Sequence, residues 1–412
     1  MTPTDTDCTH LENERGLSEE GTAKDWKKVL QWRKEPLGGS SAARVPDLCV
    51  NPLALLHNGA VFQEMVCGLL YFGLYTMARS KSTDETAIPT FPSTSSAELD
   101  AALTRFREEL FVPFGLNVQQ RKLMFRQKYH DRLDEEPVSV SIGENDEPFL
   151  LRPMDPLTRP TKQEAIQTIS LMKTPRDWQN LVPFLTGLRM ANRILKRERW
   201  EWLIRRANNE ADALSVIIEC AKQSAKTGLR LDNEPVVQRL FFELHRKAQR
   251  EDFQEPVLSK TLGLAQEAVN LMEAPEHKPK SLSQDPRRNP TVIAVMLELN
   301  AARALNAAND DDGRVLAYVL RLHGTWSRVK MEQPKTWREA EEQLRDNAPI
   351  YNAVRLALQI PSIPTDKGPG KDLNNALQKL KSSLVTASEM APAAAKANPT
   401  QGLEQAQRLL SS

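Results

Sequence analysis

The sequence predicts a mainly α protein: an α-solenoid-like body of antiparallel helix pairs, a small β-hairpin before it, and disordered tails. Three observations carry that expectation. From Thr161 to Ile360, apolar residues recur at helical spacing in one segment after another. Ahead of them lies a single alternating run, Val138 to Ile142, bounded by turn chemistry. Both ends are polar and rich in Ser, Gly or Pro. The 412 residues are 40% hydrophobic, enough to fill a core, and 55 basic against 54 acidic side chains leave no global field to attract nucleic acid or membrane.

Residues 1–50 mix charges around the joint Gly38-Gly39-Ser40-Ser41 and are expected to be disordered. Their acids, Asp5, Asp7, Glu12 and Glu14 among them, do not fit a secretory signal and argue against a standard mitochondrial presequence. Residues 51–96 combine an apolar helix with a Ser/Thr/Pro linker from Ser80 to Ser96. Between Ala60 and Ala78 the only charge is Glu64, and the 14 uncharged residues from Met65 to Ala78 fall short of the roughly 20 a spanning helix needs. A buried helix is the favoured reading of 60–78 and a membrane anchor the alternative.

Residues 97–160 hold a leading helix and the hairpin. Leu99, Leu103, Phe106 and Leu110 line one helical face that should stop at Pro113, and Phe149 to Leu151 can return against Val138, Val140 and Ile142.

The helical body spans 161–360. Thr161 and Glu164 form a capping box before Ile166, Ile169 and Met172. Asp177 can cap a second helix carrying Trp178, Leu181, Leu185 and Leu188, with Pro183 in its first turns. A third presents Trp200, Leu203, Ile204 and Ala207, and a fourth Leu214, Ile217, Ile218 and Ala221, with Gly228 placed to end it. Val236 to Leu244 and Leu258 to Val269 supply the fifth and sixth. After an exposed linker at 275–288, Asn289 and Pro290 start an Ala-rich helix, Val315 to Met331 forms its neighbour, and Trp337 to Leu344 with Ile350 to Ile360 gives one more pair. Residues 361–412 read as a Pro/Gly linker and a weakly ordered C-terminal tail.

The run Gly228-Leu229-Arg230-Leu231-Asp232, followed by Val236, Val237, Leu240, Phe241, Leu244, Ala248, Ala265, Ala268, Leu271 and Met272, resembles a degenerate pentatricopeptide or tetratricopeptide helix pair. Leu181 to Ile194 is similar to the first helix of such a unit, and the resemblance covers roughly residues 170–330. The like-placed Ala191 and Ala248 stand 57 residues apart, not 34 or 35, so no base-reading code transfers. What the resemblance implies is a concave helical surface for RNA or protein, in the style of fungal mitochondrial helical-repeat factors, with mitochondrial localisation and a cytoplasmic one as the alternative.

Cys8, Cys49, Cys67 and Cys220 form no CxxC or Cys/His cluster, so neither a disulfide framework nor zinc is expected. The six histidines are scattered, His245 reads as an exposed side chain, and no HExxH, GxSxG, GxxxxGK[ST] or GxGxxG occurs. Asp310-Asp311-Asp312-Gly313 fails an EF-hand register, since Val319 stands where a bidentate Glu belongs. The chain is therefore read as a non-enzymatic binding protein with no cofactor and no metal.

One local feature offers a route to a partner. Arg189, Arg193, Lys196, Arg197, Arg199, Arg205 and Arg206 face only Glu198 and Glu201. If Trp200 turns inward, Arg199, Trp202 and Arg206 project from another face, where the indole can stack a base and the guanidinium groups hold phosphates. The candidate RNA- or partner-binding residues are Arg189, Arg193, Lys196, Arg199, Trp202 and Arg206; the plainer alternative is a solvated face with Trp202 packed on the next helix. A second basic run, Arg121, Lys122, Arg126, Lys128 and Arg132, interleaves Phe125 and Tyr129. The leading expectation is a mitochondrial RNA- or ribonucleoprotein-binding factor. The alternative is a protein adaptor or assembly factor held to a membrane through 60–78.

Overall fold

A computed structural model describes residues 88–143, 146–307, 312–363 and 365–411. The tail 1–50, the apolar stretch 60–78 and Asp310-Asp311 lie outside the described residues. Among those described, no helix is long and apolar enough to cross a membrane.

The chain enters as an extended strap, Ile88 to Ser96, that is pinned rather than free. The Ser95 N–H and hydroxyl donate to the Asp177 carboxylate at 2.8 Å each, Asn180 donates to the Pro92 carbonyl at 3.3 Å, and Arg176 to the Ser93 hydroxyl at 2.7 Å. Phe91 packs 6.3 Å from both Phe111 and Phe184. The linker expected at Ser80 to Ser96 is thus, from Ile88 onward, a packed element, because one buried carboxylate gathers its backbone. Asp177 sits in a short turn capped by Thr174 and does not cap the helix after it.

Helix α1 (Ala97–Phe106) buries Leu99, Leu103 and Phe106, widens into a π-turn at Arg107–Phe111, and resumes over Val112–Gly115. It passes through Pro113 because the residue stands in the first turn of the new segment, where its missing N–H has no helical role. Gly187 lets the helix Leu181–Met190 approach it: a Cβ there would lie 2.7 Å from the Phe111 ring. Helices α2 (Val118–Phe125) and α3 (His130–Glu135) lead to the hairpin β1 (Ser139–Ile142) and β2 (Glu147–Leu150). Val140 pairs with Phe149 and Ser139 with Leu150, and Ile142, Phe149 and Leu151 face a small core with Met124 and Leu133.

The body follows: α4 (Lys162–Leu171), α5 (Leu181–Met190), α6 (Arg197–Glu210), α7 (Leu214–Lys222), α8 (Glu234–Arg250) and α9 (Val257–Leu271). The capping box at Thr161 and Glu164 forms, and Gly228 closes the turn after α7 at φ 86°. Trp200, Leu203, Ile217, Leu240 and Leu262 are all buried. Cys220 is fully enclosed, and burial pushes its thiol up, away from reactivity.

Four expectations are corrected. Residues 275–288 are mostly exposed, as expected, but are more than a linker: they form short turns in which His277 is buried, accepting the Leu231 N–H at 3.0 Å on Nδ1 while Nε2 meets the Ala221 carbonyl at 3.1 Å. Burial holds that imidazole below its ordinary value, so the ring is neutral. His245 is not exposed but buried against Glu298. The pair expected at 337–360 is one helix, α12 (Trp337–Ala357), which continues through Pro349 because Leu344, Ala348, Ile350 and Ala353 on both sides are buried. Finally, 361–412 is no weakly ordered tail: α13 (Gly368–Glu389) and α14 (Gln401–Ser411) bury Leu373, Leu380, Leu384, Leu403 and Leu409 against α12. Between these pieces run α10 (Pro290–Asn306) and α11 (Arg314–Gly324).

The Asp177 anchor gives a pH-dependent test. Burial pushes its carboxyl up, but hydrogen bonds from Ser95 and Thr174 outweigh that and hold it well below the usual carboxylate range. The folded group titrates below the unfolded one, so its stabilisation is complete above about pH 4 and fades on acidification. Asp177→Asn should cost about 1–3 kcal/mol in urea unfolding at pH 7, the gap from the parent narrowing below about pH 4. A chain truncated to begin at Ala97 should lose comparable stability, and one beginning at Ser80 should not.

Candidate nucleic-acid interface

Helix α6 turns Trp200, Leu203, Ile204 and Ala207 into the main core and leaves Arg199, Arg205 and Glu210 exposed. The 3.6-residue period then places Arg199, Trp202 and Arg206 in a row on a different face. The structure divides the six predicted residues among four neighbouring settings.

Arg189, at the end of α5, lies against Gly228 and Ile194: a Cβ on Gly228 would meet its Nη1 at 3.3 Å. Arg193 is close enough to Arg159 to oppose its charge, though burial is the larger influence on Arg159, whose guanidinium stacks 4.7 Å over Phe125. Lys196 and Arg199, with Lys162, rim a groove of about 660 Å³ floored by Ile166, Ile194 and Leu195. Trp202 and Arg206 belong to a separate cleft of about 420 Å³.

Within that cleft Trp202 is half-buried, its body packed on the main core, and the Arg206 guanidinium lies 5.8 Å from the ring centroid. Arg206 is committed: it donates to the Ser170 carbonyl and pairs with Glu210 at 2.6 Å. Arg205, absent from the predicted six, is exposed there instead. Arg239 of α8 and Arg345 of α12 complete the basic wall. No local pattern marks those two, since each belongs to a helix with an ordinary charged face and reaches the cleft only through tertiary packing.

Of the seven cations counted along Arg189 to Arg206, only Arg197, 3.9 Å from Glu201, and Arg206 have a carboxylate partner among the described residues. Arg189, Arg193, Lys196, Arg199 and Arg205 have none there. In the second basic run, Lys128 lies over Tyr129 at 4.7 Å and Arg132 pairs with Glu136 at 3.7 Å. Asp312 is taken by Arg303 at 2.7 Å and Arg314 at 3.1 Å, and among the described residues no His, Cys, Asp or Glu cluster suits a metal.

The family model described as mitochondrial ribosomal protein mS27 matches residues 76–408. A small ribosomal subunit protein mS27 from Neurospora crassa is 29% identical over 289 residues, an alignment covering 68% of this chain and 66%, just under two thirds, of that protein.

Two substitutions separate packing from surface chemistry in the cleft. Trp202→Ala should lower unfolding stability by about 1–3 kcal/mol, less than the roughly 3–5 expected for a fully buried Trp. Arg206→Gln should cost about 1 kcal/mol through its carbonyl bond and its Glu210 pair. Urea denaturation of each variant measures both; an unchanged midpoint for Trp202→Ala would mean the indole is not packed on the core.

Proposed function

The chain belongs to the mitochondrial ribosomal protein mS27 family, and from that premise we propose that it binds ribosomal RNA in the mitochondrial small subunit through the basic face of α6. The family is one of structural ribosomal proteins, so the chain is mitochondrial and non-enzymatic. Ribosomal partners are proposed from the name its relative carries.

The observation that carries the RNA reading is a set of neighbouring cations, Arg193, Lys196, Arg199 and Arg205, that have no carboxylate partner among the described residues, in a chain of net charge +1. Elsewhere among the described residues cations do pair with acids, as Arg105 does with Glu164 at 2.6 Å and Lys222 with Glu267 at 2.7 Å. Leaving several adjacent cations unneutralised favours a polyanion, whose condensed counterions are released on contact. A protein partner is the second reading, favoured by the groove over Ile166, Ile194 and Leu195, whose apolar floor suits a side-chain anchor better than a phosphate.

Replacing Arg193 and Lys196, which precede α6, and Arg199 in its first turn together with Gln removes three charges and leaves a good helix former on α6. Affinity for single-stranded RNA should fall, and the slope of log affinity against log salt should flatten by about 2, at roughly 0.7 per lost contact. The same variant should sediment less completely with the mitochondrial small subunit. Unchanged RNA affinity and salt slope would transfer the role of this face to a protein partner.

A further inference from the structure

The cleft beside Trp202 has a makeup that the basic face of α6 alone does not explain. Four guanidinium groups, from Arg205, Arg206, Arg239 and Arg345, line it against two carboxylates, Glu210 and Glu341. Glu210 is already spent on Arg206, and Glu341 has no ion-pair partner among the described residues. Arg239 is mostly enclosed and bonds Glu243 at 3.3 Å and the Gln401 side-chain carbonyl at 3.0 Å. Among the described residues Arg345 pairs only with Asp346, at 3.5 Å, and burial pushes that carboxyl up, which weakens it as a counter-charge. Burial chiefly lowers the Arg239 guanidinium; Glu243 opposes this, and Arg345 and Arg205 lower it further, so the three cations repel one another within the cleft.

A second feature points the same way. The first turn of α14 forms part of the wall, and its leading N–H groups have no partner inside their own helix. The Thr400 hydroxyl at that end is enclosed and makes no hydrogen bond. Gly402 permits the approach: a Cβ there would stand 3.0 Å from the Arg345 amide nitrogen and 3.2 Å from the Glu341 carbonyl oxygen. A helix N-terminus set beside forked guanidinium donors is matched to a phosphate group. The volume, about 420 Å³, falls in the range that accepts a nucleotide-sized ligand, and the edge of Trp202 offers a base an aromatic wall.

We infer that this cleft is a phosphate-binding site, formed by Arg205, Arg239, Arg345 and the N-terminus of α14, that receives one nucleotide unit. It deepens the ribonucleoprotein reading and rests on it for the source of the phosphate, an RNA strand; a free phosphate ester is the other source of the same chemistry. The site is distinct from the Lys196 and Arg199 groove, so the two can be tested separately.

Arg205→Gln with Arg345→Gln removes two cations while leaving Arg239, which compensates buried Glu243, in place. With the full-length chain and a labelled single-stranded 12-nucleotide RNA, two lost contacts should flatten the salt slope by about 1.4, so that the ratio of affinities at 50 and 200 mM salt shrinks about sevenfold. That outcome supports the site with RNA as the source. In parallel, the melting temperature is followed with inorganic phosphate against chloride at matched ionic strength. Phosphate stabilisation present in the parent and absent in the double variant, with RNA affinity unchanged, supports the site with a free phosphate ester as the source. If the double variant matches the parent in RNA affinity, salt slope and phosphate stabilisation, the proposal is overturned. The Arg193, Lys196 and Arg199 variant still decides the wider RNA reading by itself.

Discussion

The body depends on one buried carboxylate. Glu298 lies midway along α10 with no solvent exposure, accepts from His245 of α8 at 2.7 Å, and accepts from the Asn352 amide of α12. A carboxylate removed from water costs several kcal/mol unless hydrogen bonds replace its hydration, so three helices are held to the one register that satisfies it. Around it α10 is buried on nearly every side, giving Val292, Val295, Met296 and Leu299 to one core and Ile293, Ala294, Leu297 and Ala301 to the other. Its small residues allow that: Ala294, Ala301, Ala302 and Ala304 keep the neighbouring backbones close.

That register carries outward to the surface. Helix α8 presents His245 inward, and the buried Glu243 of the same helix repeats the theme: Asn208 of α6 donates to its carboxylate at 2.8 Å, and Arg246 reaches it at 2.8 Å. The face of α6 that displays Arg205 and Trp202 is therefore indexed to α8, and through α8 to Glu298. Arg239 projects into the cleft because the same helix is locked at His245 and Glu243. The candidate phosphate site is thus built on rigid helices, the condition under which charged groups bind without first being ordered.

How much of this was legible in the sequence follows from the range of the interactions. Trp200, Leu203, Ile204 and Ala207 were readable because a helical face is written at i, i+3, i+4 and i+7, and the hairpin because Val138, Val140 and Ile142 alternate. The Thr161 box was readable because cap and partner stand three residues apart. His245 and Asn352 were not, since what decides their burial is Glu298, which lies 53 and 54 residues from them. Pro349 misled because a helix-breaking rule based on local hydrogen bonding is outweighed where both flanks are buried. The Ala-, Ser- and Gln-rich stretch after Gly370 read as weakly ordered, at best one or two exposed helices, because its apolar stripe, Leu373, Leu380 and Leu384, gains its value only from the facing α12. For the binding surface, the basic run on α6 was visible; Arg239 and Arg345 were invisible for the same reason as His245.

The departure from regular repeat spacing has a structural counterpart. In an open solenoid each helix pair touches only its neighbours along the array. Here α10 packs on α8, α9, α11 and α12 together, and α14 returns from the end of the chain to the middle of it. Gln401 bonds Arg239 at 3.0 Å, and Arg408 bonds Asp252 at 2.7 Å, joining residues more than 150 positions apart. An array closed in this way gives up the continuous concave surface on which a repeat protein reads a long ligand. It gains local recesses where helix ends meet helix flanks, and the cleft between α6, α8, α12 and α14 is one of them. A chain with almost no net charge can then hold a strong local positive field, because the closure brings together arginines that the sequence keeps far apart.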